Sequence, residues 1–181
     1  MTQSPENEVV AFWRDAGSDR WFSPDAAFDA AFRARFLDLH LAAARREHDD
    51  WAGTPDGALA LAILLDQFPR NAFRGTPHMY GTDRLARLLV GRALDAGLGD
   101  AVDQNQRVFL NLPFTHSEDL DDQDRAVALS SPLGGAAAKF AHGHREIIRK
   151  FGRFPHRNKL LGRESTADEL AFLDEGGFGG N

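Results

Sequence analysis

The sequence of 181 residues has no cysteine, which removes a disulfide framework and thiolate metal sites and fits a reducing compartment. No apolar run approaches the roughly 20 residues needed to span a bilayer. The opening M-T-Q-S-P-E-N-E has neither a basic segment nor an apolar one of the kind that directs secretion, so a cytoplasmic protein without membrane association is expected. No segment alternates apolar and polar residues as a half-buried strand would. No H-E-x-x-H pattern, nucleophile elbow or sustained repeat period is present. At this length one domain is the expectation, with roughly 70% of the unfolded surface buried.

Acidic side chains outnumber basic ones 27 to 21, for a net charge of -6. Six of the basic residues fall between Arg149 and Arg163, R-K-F-G-R-F-P-H-R-N-K-L-L-G-R, where no Asp or Glu occurs. Without them the chain carries -12. That field repels nucleic acid, which excludes it as the expected partner and leaves local recognition of an anion by a focused cluster.

Helix signals fill the rest of the chain. Ser4-Pro5, Ser23-Pro24, Thr54-Pro55 and Ser131-Pro132 each set a capping residue before a proline at the first helical position. Phe12 and Trp13, then Phe28, Phe32 and Phe36, recur at helical spacing as core stripes, as do Phe140, His144, Ile147 and Phe151. Ala58 to Phe68 is apolar all round, which marks a central helix, and Pro69 is expected to stop it with Asp66 and Gln67 at its end. A helix from Asp100 is expected to stop at Pro113. Thr115 and Glu118 have capping-box spacing, and so do Thr166 and Glu169. Gly152 ends the penultimate helix, and residues 176–181 read as a flexible Gly-rich tail. The fold class is all-α, with about eight helices in antiparallel pairs forming a bundle or short solenoid.

Taken together, Phe12-Trp13, Trp21-Phe22, L-L-D-Q-F-P-R-N at Leu64 to Asn71, L-P-F-T-H-S-E at Leu112 to Glu118, F-G-R-F-P-H-R-N at Phe151 to Asn158 and L-G-R at Leu161 to Arg163 resemble a bacterial domain-of-unknown-function family, number 924. The resemblance runs over nearly the whole chain. It implies a TPR-like arrangement of antiparallel helices and brings no catalytic residues with it.

Two stretches, Gln67-Phe68-Pro69-Arg70-Asn71 and Arg153-Phe154-Pro155-His156-Arg157-Asn158, echo one another, and both read as a helix stop followed by a polar tip. Arg70, Arg74, Arg153, Arg157 and Arg163 interleave with Phe68, Phe73, Phe151 and Phe154, the usual setting for a guanidinium that grips a carboxylate or phosphate. Internal acids compete for that role, Asp66 and Glu118 first among them. His116 and His156 are the expected proton-transfer groups, because imidazole titrates near neutrality. Asp66, Gln67, Arg70, Asn71, Glu118, His144, Arg153, Arg157, Asn158 and Arg163 are the expected ligand-binding groups, and all are expected to converge on one pocket. A triad of two imidazoles and Glu118 could hold a metal, but the spacing favours none, and no cofactor is expected. The partner is a small anionic ligand or, for a helical interaction module, an acidic peptide. Sequence leaves the oligomeric state open.

Overall fold

The Ser/Thr-Pro signals set most of the helix starts. In the computed structural model of the chain, which describes residues 3–177, α1 runs Pro5–Ala16 and α4 runs Pro55–Ala62, where Thr54 Oγ1 accepts the Gly57 N–H at 3.1 Å. At the second signal the cap is Asp25 rather than Ser23. Its Oδ1 accepts from Ala27 and Phe28, both at 3.0 Å, and α3 is Ala26–Ala44. At the fourth signal Ser131–Leu133 forms a 3-10 turn, and α9 starts one residue after Gly134. No strand occurs among the described residues, so the chain is all-α. No helix among them is long and apolar enough to cross a membrane. The chain divides into two compact units, the described residues of Met1–Arg74 with His78–Pro113 and those of Gly75–Pro77 with Phe114–Asn181.

The first unit holds α1, α2 (Ser18–Trp21), α3, α4, α5 (Phe68–Ala72), α6 (Asp83–Asp95) and the start of α7 (Val108–Thr115). Phe28, Phe32, Phe36 and His40 lie at four-residue intervals on α3 and are all buried. Trp13 meets Phe32 and Phe109, each at 5.3 Å between centroids. Residues 57–62 of α4 are buried on every side, and α4 packs against both α1 and α6, the central position its composition requires. Each leucine or isoleucine so buried contributes about 1.5–3 kcal/mol.

Pro69 does not stop this helix. Ile63–Gln67 widens into a π-helical turn, and α5 carries the path on through Pro69 to Ala72. The Phe68 N–H reaches back to Ile63 O, and proline at 69 has no N–H to offer, so Leu64 O lacks a backbone donor. His40 Nδ1–H takes that carbonyl at 2.8 Å, and Thr82 Oγ1 donates to Leu65 O at 2.5 Å. Pro113 is likewise inside α7, not beyond it. The buried side chains of Phe109, Leu110, Leu112 and Phe114 outweigh the one lost hydrogen bond, and the part near Asp100 is a 3-10 turn, Leu98–Ala101.

In the second unit α8 (Leu120–Ser130) packs on α9 (Gly135–Phe151), and α10 (Ala167–Asp174) packs on the 3-10 turn Pro155–Arg157. Ile147, Ile148 and Phe154 form its core, with Phe151 and Phe172 against them. Asp119, not Thr115, caps α8. Its Oδ1 accepts from Asp121 and Asp122, so the expected Thr115–Glu118 capping box does not form and Glu118 is released for other partners. The Thr166–Glu169 capping box does form. Gly176 and Gly177 close α10 by donating to Leu173 O and Phe172 O, at 3.1 and 2.8 Å, so the expected tail starts as a helix cap. The rest of that tail, residues 178–181, lies outside the described residues.

Candidate functional site

The turn bearing His116 is fastened from α8. Gln123 is buried, and its Nε2 donates to Thr115 O at 2.8 Å and Ser117 O at 2.6 Å. Ser117 Oγ donates in turn to Asp122 at 2.6 Å. This presents Glu118, whose carboxylate accepts the fork of Arg163 at 2.7 and 3.0 Å and the Phe154 N–H at 2.8 Å. Burial works against ionisation of Glu118, but the Arg163 and Phe154 hydrogen bonds and the charges of Arg163 and Arg157 outweigh it and hold the carboxyl below its usual range.

From Arg163 the hydrogen bonds run on unbroken. Arg163 Nε donates to Asn158 Oδ1 at 2.9 Å, and Asn158 Nδ2 donates to Glu169 Oε2 at 3.2 Å and Ser165 Oγ at 3.0 Å. Glu169 is buried and takes the fork of Arg153 at 2.6 and 2.8 Å together with the Thr166 N–H at 2.7 Å. The Arg153 hydrogen bonds, with help from Thr166 and Asn158, draw the Glu169 carboxyl down to about 2. Arg153 and Arg163 therefore have carboxylates of their own unit, which accounts for much of the basic stretch.

The remaining groups gather round Phe154. The Arg157 guanidinium lies over its ring at 4.6 Å, the His156 ring is 5.6 Å away and the His144 ring 5.5 Å away. His116 and His144 have their centroids 6.3 Å apart. His144 Nδ1 faces Phe140 O at 2.8 Å. A carbonyl only accepts, so Nδ1 carries the proton and Nε2 is the basic nitrogen. Burial, with the charges of His116 and Arg157, lowers His144 to about 3. Burial and Arg157 lower His156 to about 4 against the pull of Glu118. Both imidazoles are neutral at neutral pH.

The other expected ligand-binding groups are in the first unit. Arg70 donates bidentately to Asp83 at 2.8 and 2.9 Å, to Asp66 O at 2.7 Å, and lies 3.3 Å from Asp66 Oδ1. Burial disfavours the guanidinium charge, but Asp66 and Asp83 overcome it and raise its pKa. Gln67 Nε2 donates to Asp66 at 2.5 Å. Asn71 donates to Asp29 at 2.7 Å, and Arg74 shares that carboxylate at 3.1 Å. Asp83 and Glu169 each stand in the first turn of a helix, and helix-start position says nothing of a carboxylate's distant partner, here Arg70 and Arg153. Gln123 gave no signal either. A hollow of about 500 Å³ lies elsewhere in the first unit, lined by Glu8, Phe12, Asp15, Arg20, Asp25 and Arg35, and contains none of the expected catalytic or ligand-binding residues. Among the described residues no group of three or more His, Asp or Glu is placed to hold a metal ion.

A solved structure described as a protein of unknown function, ATU0120 from Agrobacterium tumefaciens, superimposes with a TM-score of 0.92 at 52% identity, covering 94% of this chain and 97% of that one. Comparison with curated proteins gives no match. Residues 9–177 match the family described as "Bacterial protein of unknown function (DUF924)". The chain belongs to this DUF924 family.

Proposed function

We propose that the protein is a cytoplasmic small-anion binder whose ligand is held at the His116, His144, His156 and Arg157 cluster of the second unit, with His116 and His156 as the groups that exchange protons with it. The observation that carries this reading is the gathering of two imidazoles and a buried guanidinium around the single ring of Phe154, with the His116 ring 6.3 Å from that of His144. Arg153, Arg163 and Arg70 have internal carboxylates and act as scaffold. Burial, with the charge of Arg157, keeps His144 and His156 neutral, and an incoming anion counters that charge and raises their basicity. Anion binding therefore draws in protons.

Sulfate, which does not titrate near neutrality, is the cleanest probe. Titrated calorimetrically at pH 6 and pH 8, it should bind more tightly at pH 6, with proton uptake seen as a buffer-dependent heat. Arg157→Lys keeps the charge and removes the planar fork, and should weaken binding at least about tenfold with little change in melting temperature. His116→Gln should reduce the difference between the two pH values. Absence of binding to sulfate, phosphate and small carboxylates, or an affinity untouched by Arg157→Lys, overturns the reading.

A second reading, a TPR-like module for an acidic peptide, has in its favour the packed α8 and α9 pair joined by a short turn. It predicts that acidic peptides bind where sulfate does not.

A further inference from the structure

The hollow in the first unit lies between α1 and α3, and its volume of about 500 Å³ falls within the roughly 300–1,000 Å³ that small-molecule sites occupy. Its floor is apolar. Ala11 and Phe12 supply it from α1, and Phe28 and Ala31 from α3. The Phe12 ring is partly exposed there, and stacking on Phe28 at 5.5 Å and Phe32 at 5.4 Å between centroids fixes its position. Three carboxylates, Glu8, Asp15 and Asp25, and two guanidiniums, Arg20 and Arg35, stand round that floor. Arg35 faces Glu8 at 3.5 Å and Arg20 faces Asp25 at 3.7 Å, so both cations are matched. Asp15 is the charge left over. Its one ion-pair contact is with Arg14 at 3.5 Å, between side chains 73% and 61% exposed, and Arg14 lines the smaller hollow on the other side of α1. An exposed pair of this kind contributes little.

We propose that this hollow binds a small organic cation, a primary amine on an apolar alkyl or aryl body, with its ammonium group at Asp15 and its body on Phe12. Asp15 follows Phe12 by three residues on α1, so the two share a helix face, and side chains at that spacing start about 5–6 Å apart. One small molecule therefore reaches both. An anion would meet the surplus carboxylate, and an inorganic cation would leave the apolar floor unused. A compact ammonium brings three donors to a carboxylate that lacks a cation within the hollow. Each methylene that the floor removes from water is worth about fourfold in affinity. The site lies wholly in the first unit and does not depend on the anion reading of the second.

The test compares three probes on the full chain at pH 7 by ligand-observed NMR titration: phenethylamine, methylamine with the charge but no body, and 3-phenylpropionate with the body and the opposite charge. Phenethylamine should bind about tenfold tighter or more than either of the others. Asp15→Asn, at an exposed position, should weaken it about fivefold or more, while Asp38→Asn, on α3 outside the hollow, should leave it within about twofold. Ala31→Trp, an exposed change that fills the hollow, should abolish binding with little change in melting temperature. Equal affinity for phenethylamine and methylamine overturns the role of the floor, and equal affinity for 3-phenylpropionate overturns the choice of a cation. Binding that survives Ala31→Trp lies elsewhere and overturns the site, as does the absence of binding by phenethylamine.

Discussion

The two Phe-Pro tips share most of their letters, yet their backbones and their charges are organised in opposite ways. In the first, the helical path continues through Phe68-Pro69 to Ala72. In the second, Gly152 takes the left-handed conformation at φ 68, ends α9, and leaves Phe154-Pro155 at the start of a 3-10 turn. The difference lies before the phenylalanine. Asp66 stands where the second tip has Gly152, and a buried carboxylate that pairs with Arg70 one turn later on the same helix rewards continuation. The first tip is thus a closed knot of one arginine between two carboxylates. The second distributes its arginines among Glu118, Glu169 and the face of Phe154, where the rings of His144 and His156 also pack. A short motif specifies side-chain chemistry, and its neighbours decide whether that chemistry is scaffold or site.

The sharpest way to break this contrast is to remove the cation at the closed tip. Arg70→Ala leaves Asp66 and Asp83 buried without their guanidinium and should cost about 4 kcal/mol in urea denaturation. Arg70→Lys should recover only part, because an ammonium cannot replace the fork. If Arg70→Ala is nearly neutral, the first tip is not the scaffold inferred here. Glu169→Ala is the corresponding change at the open tip. It strips partners from Arg153, Asn158 and the Thr166 N–H and should cost about 3 kcal/mol. Its effect on sulfate binding should be small, since Glu169 holds the frame of the basic stretch rather than the rings around Phe154.

Much of this was legible in the letters. Helices α1, α3 and α4 follow from capping signals and phenylalanine spacing, and burial of α4 on every side follows from its lack of a polar face. The failures share a cause. Pro69, Pro113 and the Thr115–Glu118 pair follow local rules that tertiary packing overrides: His40 satisfies the carbonyl that the π turn strands, burial sustains α7 past its proline, and Asp119 takes the cap expected of Thr115. The site was legible as residue types in two echoing stretches. What could not be read was allocation, that is, which arginine meets which carboxylate, because Asp83 is 13 residues from Arg70, Glu169 is 16 from Arg153 and Glu118 is 45 from Arg163.

A pH titration sharpens the contrast with a smaller effect. His144, lowered to about 3, His156, lowered to about 4, and buried His40, also lowered, are neutral in the folded chain at pH values where an unfolded imidazole of ordinary pKa near 6.5 is charged. The unfolded state therefore takes up the extra protons. Linkage from these residues is nil well above pH 6.5 and destabilises the fold as pH falls below it, by about 1.4 kcal/mol per pH unit each for His144 and His156 until the pH nears their folded values. Between pH 6.5 and 4.5 the Glu169 carboxylate stays ionised in both states for most of the range, so the slope reports the imidazoles. His144→Asn should flatten the curve of stability against pH in that window. An unchanged slope would mean that His144 already accepts its proton in the folded chain.

The smallest expected effect tests what separates the two tips in the first place. Gly152 has open space where a Cβ would project, so replacing it meets no clash; only its φ of 68 resists a side chain. Gly152→Ala should then cost about 1 kcal/mol, the strain of an alanine in the left-handed region. Gly152→Asn should cost less, since asparagine tolerates that region better. The order glycine, asparagine, alanine in melting temperature identifies backbone conformation as the cause, whereas equal losses for both variants would point to lost chain flexibility instead. If Gly152→Ala is neutral, the turn out of α9 is imposed by Arg153 on Glu169 and Phe154 on Glu118, and the carboxylates rather than the glycine make the second tip open where the first is closed.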